Sequence, residues 1–459
     1  MESERTVDRL TVMDASFVYS EDGLSHNDVS MVLIFEGPAP TRVEIMQAIA
    51  DRIALVPRFR QKIRHLPYAV GLPVWVDDVS FDIDRHVKVR PAQAAEDPVG
   101  QAVSRIMSVP MDMTIPLWQV HLVPGLPDDR WLLVVRMHHA MVDGVNSTEI
   151  VRLLLSPDPE GEPPVLDNWV PKPDVPDHVL LQRHAQDAWS DSIKAWNDLV
   201  QGNVQWPTVP ETFDPSPFMQ SGIPVNPVVM NGPIGTGRHY GMGSVPLSTL
   251  KEIRAGLGGT INDVVLAACG YGYGKALHEH VAAEVQGRTM RTMVPVSLNS
   301  NRDVVGGNEI GAMVVEIPLG DMPAVDRLAR IHEQTGAFKS LKDAMPADAI
   351  NPGSSLMSPM ILMLGTRMAA SAPTFVNTVI TNVPGPQTPL YLLGRKMHRL
   401  GACIALWAPL RIAISVMSYD GTATINVVTD EGTFPTVTPL LDAIQEGFDD
   451  LLAAARAAA

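Results

Sequence analysis

The sequence predicts an α/β (α+β) protein of two domains, each a β-sheet with flanking helices. Three observations point there. The chain has 459 residues, too many for one ordinary core and suited to two domains of roughly 200 residues each. Its apolar fraction is 46%, enough to fill such cores. Strand-like and helix-like patterns alternate in both halves, and a stretch dense in proline and acid, SPDPEGEPPVLDNWVPKPDVP from Ser156, separates them. The domains are expected at residues 1–155 and 236–459, with 156–235 a linker that contains a long helix.

In the first half, DVSMVLIFEG (28–37) is rich in apolar and β-branched residues and reads as a strand. Thr41 then fits a helix N-cap with Glu44 as its capping-box partner. Ile45, Ile49, Ile53 and Val56 recur at the spacing of one helix face. Residues 98–109 read as a second helix, with Val99, Val103 and Ile106 inward. PLWQVHLVPG (116–125) and WLLVVRM (131–137) read as neighbouring strands joined at GLPDD. A helix over 145–155 is expected next, capped by Asn146 with support from Glu149, and packing Ile150, Val151, Leu154 and Leu155 inward.

Within the linker, DHVLLQRHAQDAWSDSIKAWNDLVQ is helical, and a loop-like stretch runs from Pro207 to about Pro233. In the second half, VPLSTLKEIRAGLG and TINDVVLAACGYGYGKAL contain helices, RTMVPVSL and NEIGAMVVEIPL read as strands, and VDRLARIHEQTGAFKSLKD is a helix. NTVITNVPGP, GACIALWAP and LRIAISVMSYDGTATINVVTD lead to a C-terminal helix, with a hairpin turn at Asp420-Gly421. GYGYG (270–274) lies inside an apolar helical pattern, which argues against a phosphate loop. The methionine-rich run SSLMSPMILMLGTRMAA (354–370) fits either a core helix or a wall shaped to acyl chains.

The formal net charge is −16. Nucleic acid and anionic lipid both need a positive field, so neither is an expected partner, whereas apolar contact with a membrane stays open. Cys269 and Cys403 sit in apolar runs and read as small buried hydrophobes without a disulfide, in a cytoplasmic setting. The start, MESERTVDRL, lacks an apolar signal region, and no run of 18 uncharged apolar residues exists, so no transmembrane helix is expected.

The chemistry is concentrated in RWLLVVRMHHAMVDGVNSTEIVRLLL (130–155). His138 and His139 stand at the end of an apolar strand, with Asp143 and Gly144 just beyond. Successive strand side chains point to opposite faces, so the two imidazoles cannot share one metal, and no further donor stands at zinc spacing. No metal is therefore expected. One ring faces a cleft and the other the packed interior; the first suits a general base acting on a hydroxyl or amine. Asp143 either orients that ring or braces the turn, while Gly144 lets the chain bend sharply into the helix. No G-x-S-x-G elbow and no nearby cysteine accompany the pair, so the base acts directly on an acceptor without a covalent acyl-enzyme.

These residues resemble the HHxxxDG motif of the CoA-dependent acyltransferases. MDASF with Glu21 shortly after, PLW (116–118), NGPIG (231–235), NDVVLAA (262–268), PVSLN and GNEIGAMVVEIPL within 295–319, and NVPGP (382–386) resemble the bacterial wax ester synthase/diacylglycerol acyltransferase family. The likeness runs from about residue 8 to the C-terminus; PLWQ for the commoner PLWE and TNVPGP for SNVPGP are the departures.

The resemblance implies two chloramphenicol-acetyltransferase-like domains, each a mixed β-sheet with flanking helices, and an active-site tunnel at their interface. It implies acyl transfer from acyl-CoA to diacylglycerol or a long-chain alcohol, with no covalently bound cofactor and no metal, peripheral to a membrane or lipid droplet. His139 is then the general base, His138 its packed neighbour and Asp143 a structural residue, with Gly144 beside it. Trp118, Glu21 and Asp263 are expected along the substrate tunnel. Asn262 is the candidate oxyanion donor, in competition with a role as cap of the helix it precedes. Asp263 also suits the first turn of that helix, where a carboxylate meets the dipole. Arg238, Lys251, Arg254, Arg288 and Arg291 are candidates for the CoA phosphates. Two alternatives remain at this stage: an acyltransferase with a carrier-protein donor or another lipid or peptide acceptor, and an inactive lipid-binding protein of the same fold.

Overall fold

Two six-stranded sheets carry the fold in a computed structural model that describes residues 8–67, 70–141, 153–201, 229–281, 289–297, 310–319, 322–344 and 375–458. The first half contributes β1 (Asp8–Arg9), α1 (Val12–Tyr19), β2 (Asp28–Glu36), α2 (Arg42–Ala50), β3 (Gln61–Arg64), β4 (Val74–Asp77), β5 (Val87–Val89), α3 (Pro98–Met107), β6 (Trp118–Leu126) and β7 (Arg130–His138). A long helix, α4 (Asp177–Val200), follows. The second half holds β8 (Arg238–Pro246), α5 (Leu247–Leu257), α6 (Ile261–Val281), β9 (Thr289–Ser297), β10 (Ile310–Pro318) and α7 (Ala324–Ala344). It ends with β11 (Thr378–Pro384), β12 (Tyr391–Leu392), β13 (Arg395–Cys403), β14 (Ile412–Tyr419), β15 (Thr422–Asp430) and α8 (Thr438–Ala458).

The first sheet has the order β12-β13-β2-β7-β6-β5 and the second β10-β9-β11-β14-β15-β8. Both are mixed: β5 runs parallel to β6, and β11 runs parallel to β9 and β14, while the other pairings are antiparallel. A small sheet, β1-β4-β3, lies beside the first. β12 and β13, which fall in the half expected to form the second domain, are hydrogen-bonded into the first sheet through β2. The chain thus returns after residue 390 to complete the sheet it began with.

β7 reads as a continuous apolar run because both of its faces are covered. Trp131, Leu133, Val135 and Met137 pack with Ile45, Ile49 and Phe35. Leu132 and Val134 pack on the other face with Val32, Ile34, Val103 and Ile106, and with Tyr240, Val379, Ala413 and Val428 from the second half. The two halves therefore share a core, reinforced where Ser104 Oγ of α3 accepts from the Tyr240 N–H at 2.9 Å.

Several local expectations are met. Thr41 caps α2 in a capping box, its N–H donating to the Glu44 carboxylate at 2.7 Å. The helix stops at Ala50, and Ile53 reaches the core from a short 3-10 turn instead. Asp420 and Gly421 have φ of 42° and 80°, the two positive values that a tight hairpin turn needs. The GYGYG glycines let α6 pack closely: a Cβ at Gly272 would collide with Ile444 of α8, and one at Gly274 with the Leu319 carbonyl. Both cysteines are buried and free. The expected helix at 145–155 falls largely outside the described residues, though Leu153, Leu154 and Leu155 are buried; the methionine-rich run 354–370 lies outside them altogether.

Candidate active site

β7 delivers the histidine pair. Its last residue, His138, pairs with Asp28 of β2, and its N–H donates to the Leu117 carbonyl of the PLW motif at 3.0 Å. The chain then leaves the sheet in a 3-10 turn, His139–Met141, and the His139 N–H donates to the Asn27 carbonyl at 2.7 Å. The turn separates the environments of two adjacent residues. His138 is 0% exposed, whereas His139 is only part-buried.

His138 is fixed at both ring nitrogens. Nδ1 accepts from the Ala140 N–H at 3.1 Å, so Nε2 carries the proton and donates to Glu21 Oε1 at 3.3 Å. Glu21 also accepts from the Asn27 N–H at 2.6 Å and lies 4.0 Å from His26. Burial disfavours its charge, but these donors outweigh burial and hold its carboxyl down at about 2. Beneath the pair, Arg136 and Asp28 form an ion pair with both side chains buried, and Arg136 also donates to the Ile106 carbonyl at 3.1 Å.

Among the described residues, His139 has no such side-chain partners. Its ring stacks on Phe17 of α1, centroids 4.1 Å apart and planes at 23°. Among the described residues, Nδ1 is sealed from water with no partner in hydrogen-bond geometry. Burial pushes its pKa down to about 4; its own backbone carbonyl opposes this in part, and the neighbouring His138 adds to it. The ring is therefore neutral at physiological pH, with a lone pair available to accept a proton.

The site adjoins the second half. Ser25 Oγ accepts from the Ala408 N–H at 3.3 Å, His26 bridges to Leu406, and Arg238 donates to the Leu24 carbonyl at 2.6 Å. The loop that carries Glu21 and Asn27 is thus clasped by residues 404–410 and by the start of β8.

Three residues expected along a substrate tunnel lie elsewhere or act otherwise. Trp118 is 0% exposed; it stacks between Phe59 and His86, and its Nε1 donates to the Phe59 carbonyl at 2.8 Å. It is a core side chain because β6 carries it inward at its first residue. Glu21 is occupied by His138 and Asn27. Asp263 is fully buried at the start of α6, where it accepts from the Thr260 N–H at 2.8 Å, pairs with His332 at 2.9 Å and accepts from Thr335 Oγ1 at 2.8 Å.

Thr260, and not Asn262, caps α6: its Oγ1 accepts from the Asp263 N–H at 3.2 Å. Asn262 is half-buried in the helix's first turn. Arg238, a candidate for CoA phosphate, is buried and spends its guanidinium on the carbonyls of Gly235, Gly237 and Leu24. Arg291 pairs with Glu316 at 3.0 Å. Asp143, Gly144 and Arg288 lie outside the described residues. Phe17 and Asn27 were not singled out from sequence; for Phe17 the signal was MDASF, a motif whose aromatic end stacks on His139.

Among the described residues no group of three His, Cys, Asp or Glu could hold a metal, and no helix is long and apolar enough to cross a membrane.

Two mixed sheets sharing a core, with a neutral imidazole presented at the end of a central strand, define a protein built on the acyltransferase and condensation-domain plan. The first condensation domain of the CDA synthetase superposes with a TM-score of 0.58 at 13% identity, covering 99% of this chain and 97% of that one. The starter condensation domain of rhizomide synthetase, in complex with C8-CoA, gives 0.55 at 14% identity, covering 98% and 95%. The wax ester synthase/diacylglycerol acyltransferase of Marinobacter aquaeolei gives 0.71 at 22% identity, covering 98% of this chain and 100% of that one.

The wax ester synthase/diacylglycerol acyltransferase catalytic domain matches residues 10–265, and the C-terminal domain of the same family matches 306–452. The chain belongs to this family and is an acyltransferase. Relatives named as diacylglycerol O-acyltransferases in Mycobacterium tuberculosis and Mycobacterium bovis are each 27% identical over 92% of this chain and 91% of their own length.

Proposed function

We propose that the protein transfers an acyl group from acyl-CoA to the hydroxyl of diacylglycerol or a long-chain alcohol, with His139 as general base. The observation that carries this reading is the contrast within the pair: His138 sealed and tied to Glu21, His139 part-buried and held unprotonated. In the proposed step, neutral His139 takes the hydroxyl proton as the alcohol oxygen attacks the thioester carbonyl. A C–O bond forms and the carbonyl becomes an oxyanion. Reformation of the carbonyl breaks the C–S bond, and the imidazolium returns its proton to the CoA thiolate. A base with a pKa of about 4 is weak at rest; the negative charge developing beside it raises its proton affinity during the attack.

Asn262, with its side chain half-buried in the first turn of α6, is the proposed oxyanion donor. For Asp143 and Gly144, which lie outside the described residues, the structural role that the resemblance implies is part of the proposal. The proposal places the reaction in the cytoplasm, peripheral to a membrane or lipid-droplet surface, because the acceptor dissolves in lipid.

The test is product analysis by thin-layer chromatography with radiolabelled acyl-CoA and a panel of acceptors. Labelled triacylglycerol from diolein, or wax ester from hexadecanol, is expected, with its loss in His139→Ala. No ester from any acceptor refutes the reading. Ester formation only from an acyl carrier-protein donor would favour the alternative donor class.

A further inference from the structure

The distal part of α4 takes no part in the proposed chemistry. Near its start Leu180 is buried against Leu66, Val74 and Val76, and Asp187 pairs with Arg9 at 3.3 Å. Beyond that anchor, every described side chain of the helix is exposed. Among them stand Trp189 at 71% and Trp196 at 66% exposure, with Ile193 at 45% and Val200 at 66%. Their spacing of four, three and four residues sets them in one row along one face of a helix. Two indoles and two β-branched side chains aligned in water are an unusual surface for a soluble domain.

Three considerations select what covers this row. The first is area. An aromatic side chain offers roughly 150–250 Å², so the four together present on the order of 400 Å². A stable contact with a second copy needs about 800 Å² from each partner, so the row alone is too small for one. The second is charge. A net charge of −16 gives no attraction toward an anionic surface, so docking must be apolar, which suits a zwitterionic one. The third is side-chain chemistry. Tryptophan joins an apolar ring to one N–H donor and settles where acyl chains meet headgroups.

We propose that α4 lays Trp189, Ile193, Trp196 and Val200 into a zwitterionic lipid surface, bringing the active site to the phase where its acceptor is dissolved. The inference rests on the lipid acceptor proposed above, but its binding assay is independent of catalysis.

The experiment is flotation of the full chain with phosphatidylcholine vesicles carrying diolein, together with tryptophan emission. The wild type is expected to float and to shift its emission to the blue. Trp189→Ser/Trp196→Ser is expected to bind roughly tenfold or more weakly and to show a much smaller shift. Both positions are exposed, so the double variant should keep the wild-type rate with a water-soluble short-chain alcohol and short-chain acyl-CoA, which confirms its fold. Equal flotation of both proteins, or none by the wild type, overturns the proposal. So does a dimer that the double substitution converts to a monomer in gel filtration, since the row would then be a self-interface. If neither protein forms ester but the flotation difference holds, the acyl-transfer reading fails while lipid docking stands.

Discussion

The pH dependence of the reaction tests the central claim about His139 most directly. Burial lowers its pKa from the ordinary 6.5 to about 4, which places about 3 kcal/mol against the imidazolium. The folded value lies below the unfolded one, so the competent neutral ring persists as pH falls and is lost only through about 4. Initial rates with saturating acyl-CoA and dispersed diacylglycerol should be flat from about pH 8 to 5.5 and half-maximal near 4. Circular dichroism at each pH separates this titration from acid unfolding. Stability follows the same linkage: between pH 6.5 and about 4 the unfolded chain binds a proton at this position that the folded chain does not. His139 therefore makes folding less favourable as pH drops through that window, by up to about 3 kcal/mol at its lower end. His139→Gln should remove that part of the slope. A rate half-maximal near 6.5, with the fold intact, would refute the reasoning, because it would mean that the base is solvated.

Three substitutions probe its surroundings. Phe17→Leu removes the ring stacked at 4.1 Å; such a stack is worth about 0.5–1.5 kcal/mol, so kcat should fall roughly two- to tenfold. The apolar replacement should leave the half-maximal pH unchanged, whereas Phe17→Ala, by admitting water, should move it up toward 6.5. Trp118→Ala empties a fully buried site and should lower stability by about 3–5 kcal/mol in denaturant titration, with KM for both substrates unchanged in the molecules that stay folded. Gly385→Ala in NVPGP should markedly reduce folded yield and melting temperature, because the new Cβ would collide with the Ser418 carbonyl oxygen of β14, a contact that only a backbone shift can relieve.

The parts of the fold set by local rules were legible in the sequence. The capping box of α2, the buried run of β7 and the Asp420-Gly421 hairpin each rest on a few neighbouring residues. The strands that escaped notice depend on distant partners. β8, RHYGMGSVP, carries Gly241 and Gly243, which weaken a strand pattern; here Val437, just before α8, and Leu441 of α8 fill the space a side chain would occupy at Gly241. β13, RKMHRLGAC, opens with four basic residues around Met397 and is interrupted by a bulge between Met397 and Arg399, yet β2 recruits it into the first sheet. At the site, alternation along a strand predicted opposite faces for the two histidines; their environments do differ, but because the chain turns out of the sheet at His139 and not because a strand runs through both. It could not show which side chain meets the base, because Phe17 lies more than a hundred residues earlier in the chain. Trp118 misled for a physical reason. The family resemblance placed it along the tunnel, but its work is to fill the core under β6 while Leu117 next to it accepts the His138 N–H.

Among the described residues, the carboxylate near the pair serves His138 and leaves His139, the proposed base, alone, which is the opposite of a hydrolase triad. The difference suits an apolar reaction. A carboxylate on His139 would favour its protonated form and would also add a charge to be desolvated beside the lipid substrates proposed above. Glu21 avoids that cost by charging a position already enclosed by donors, where its partner braces the turn on which the base sits. What orients His139 instead is uncharged: the face of Phe17 and the Asn27 carbonyl that holds its backbone. In the proposed reaction His139 thus enters and leaves the cycle neutral, and the only charge separation falls between imidazolium and oxyanion within the reacting complex, where it is transient and mutually compensated.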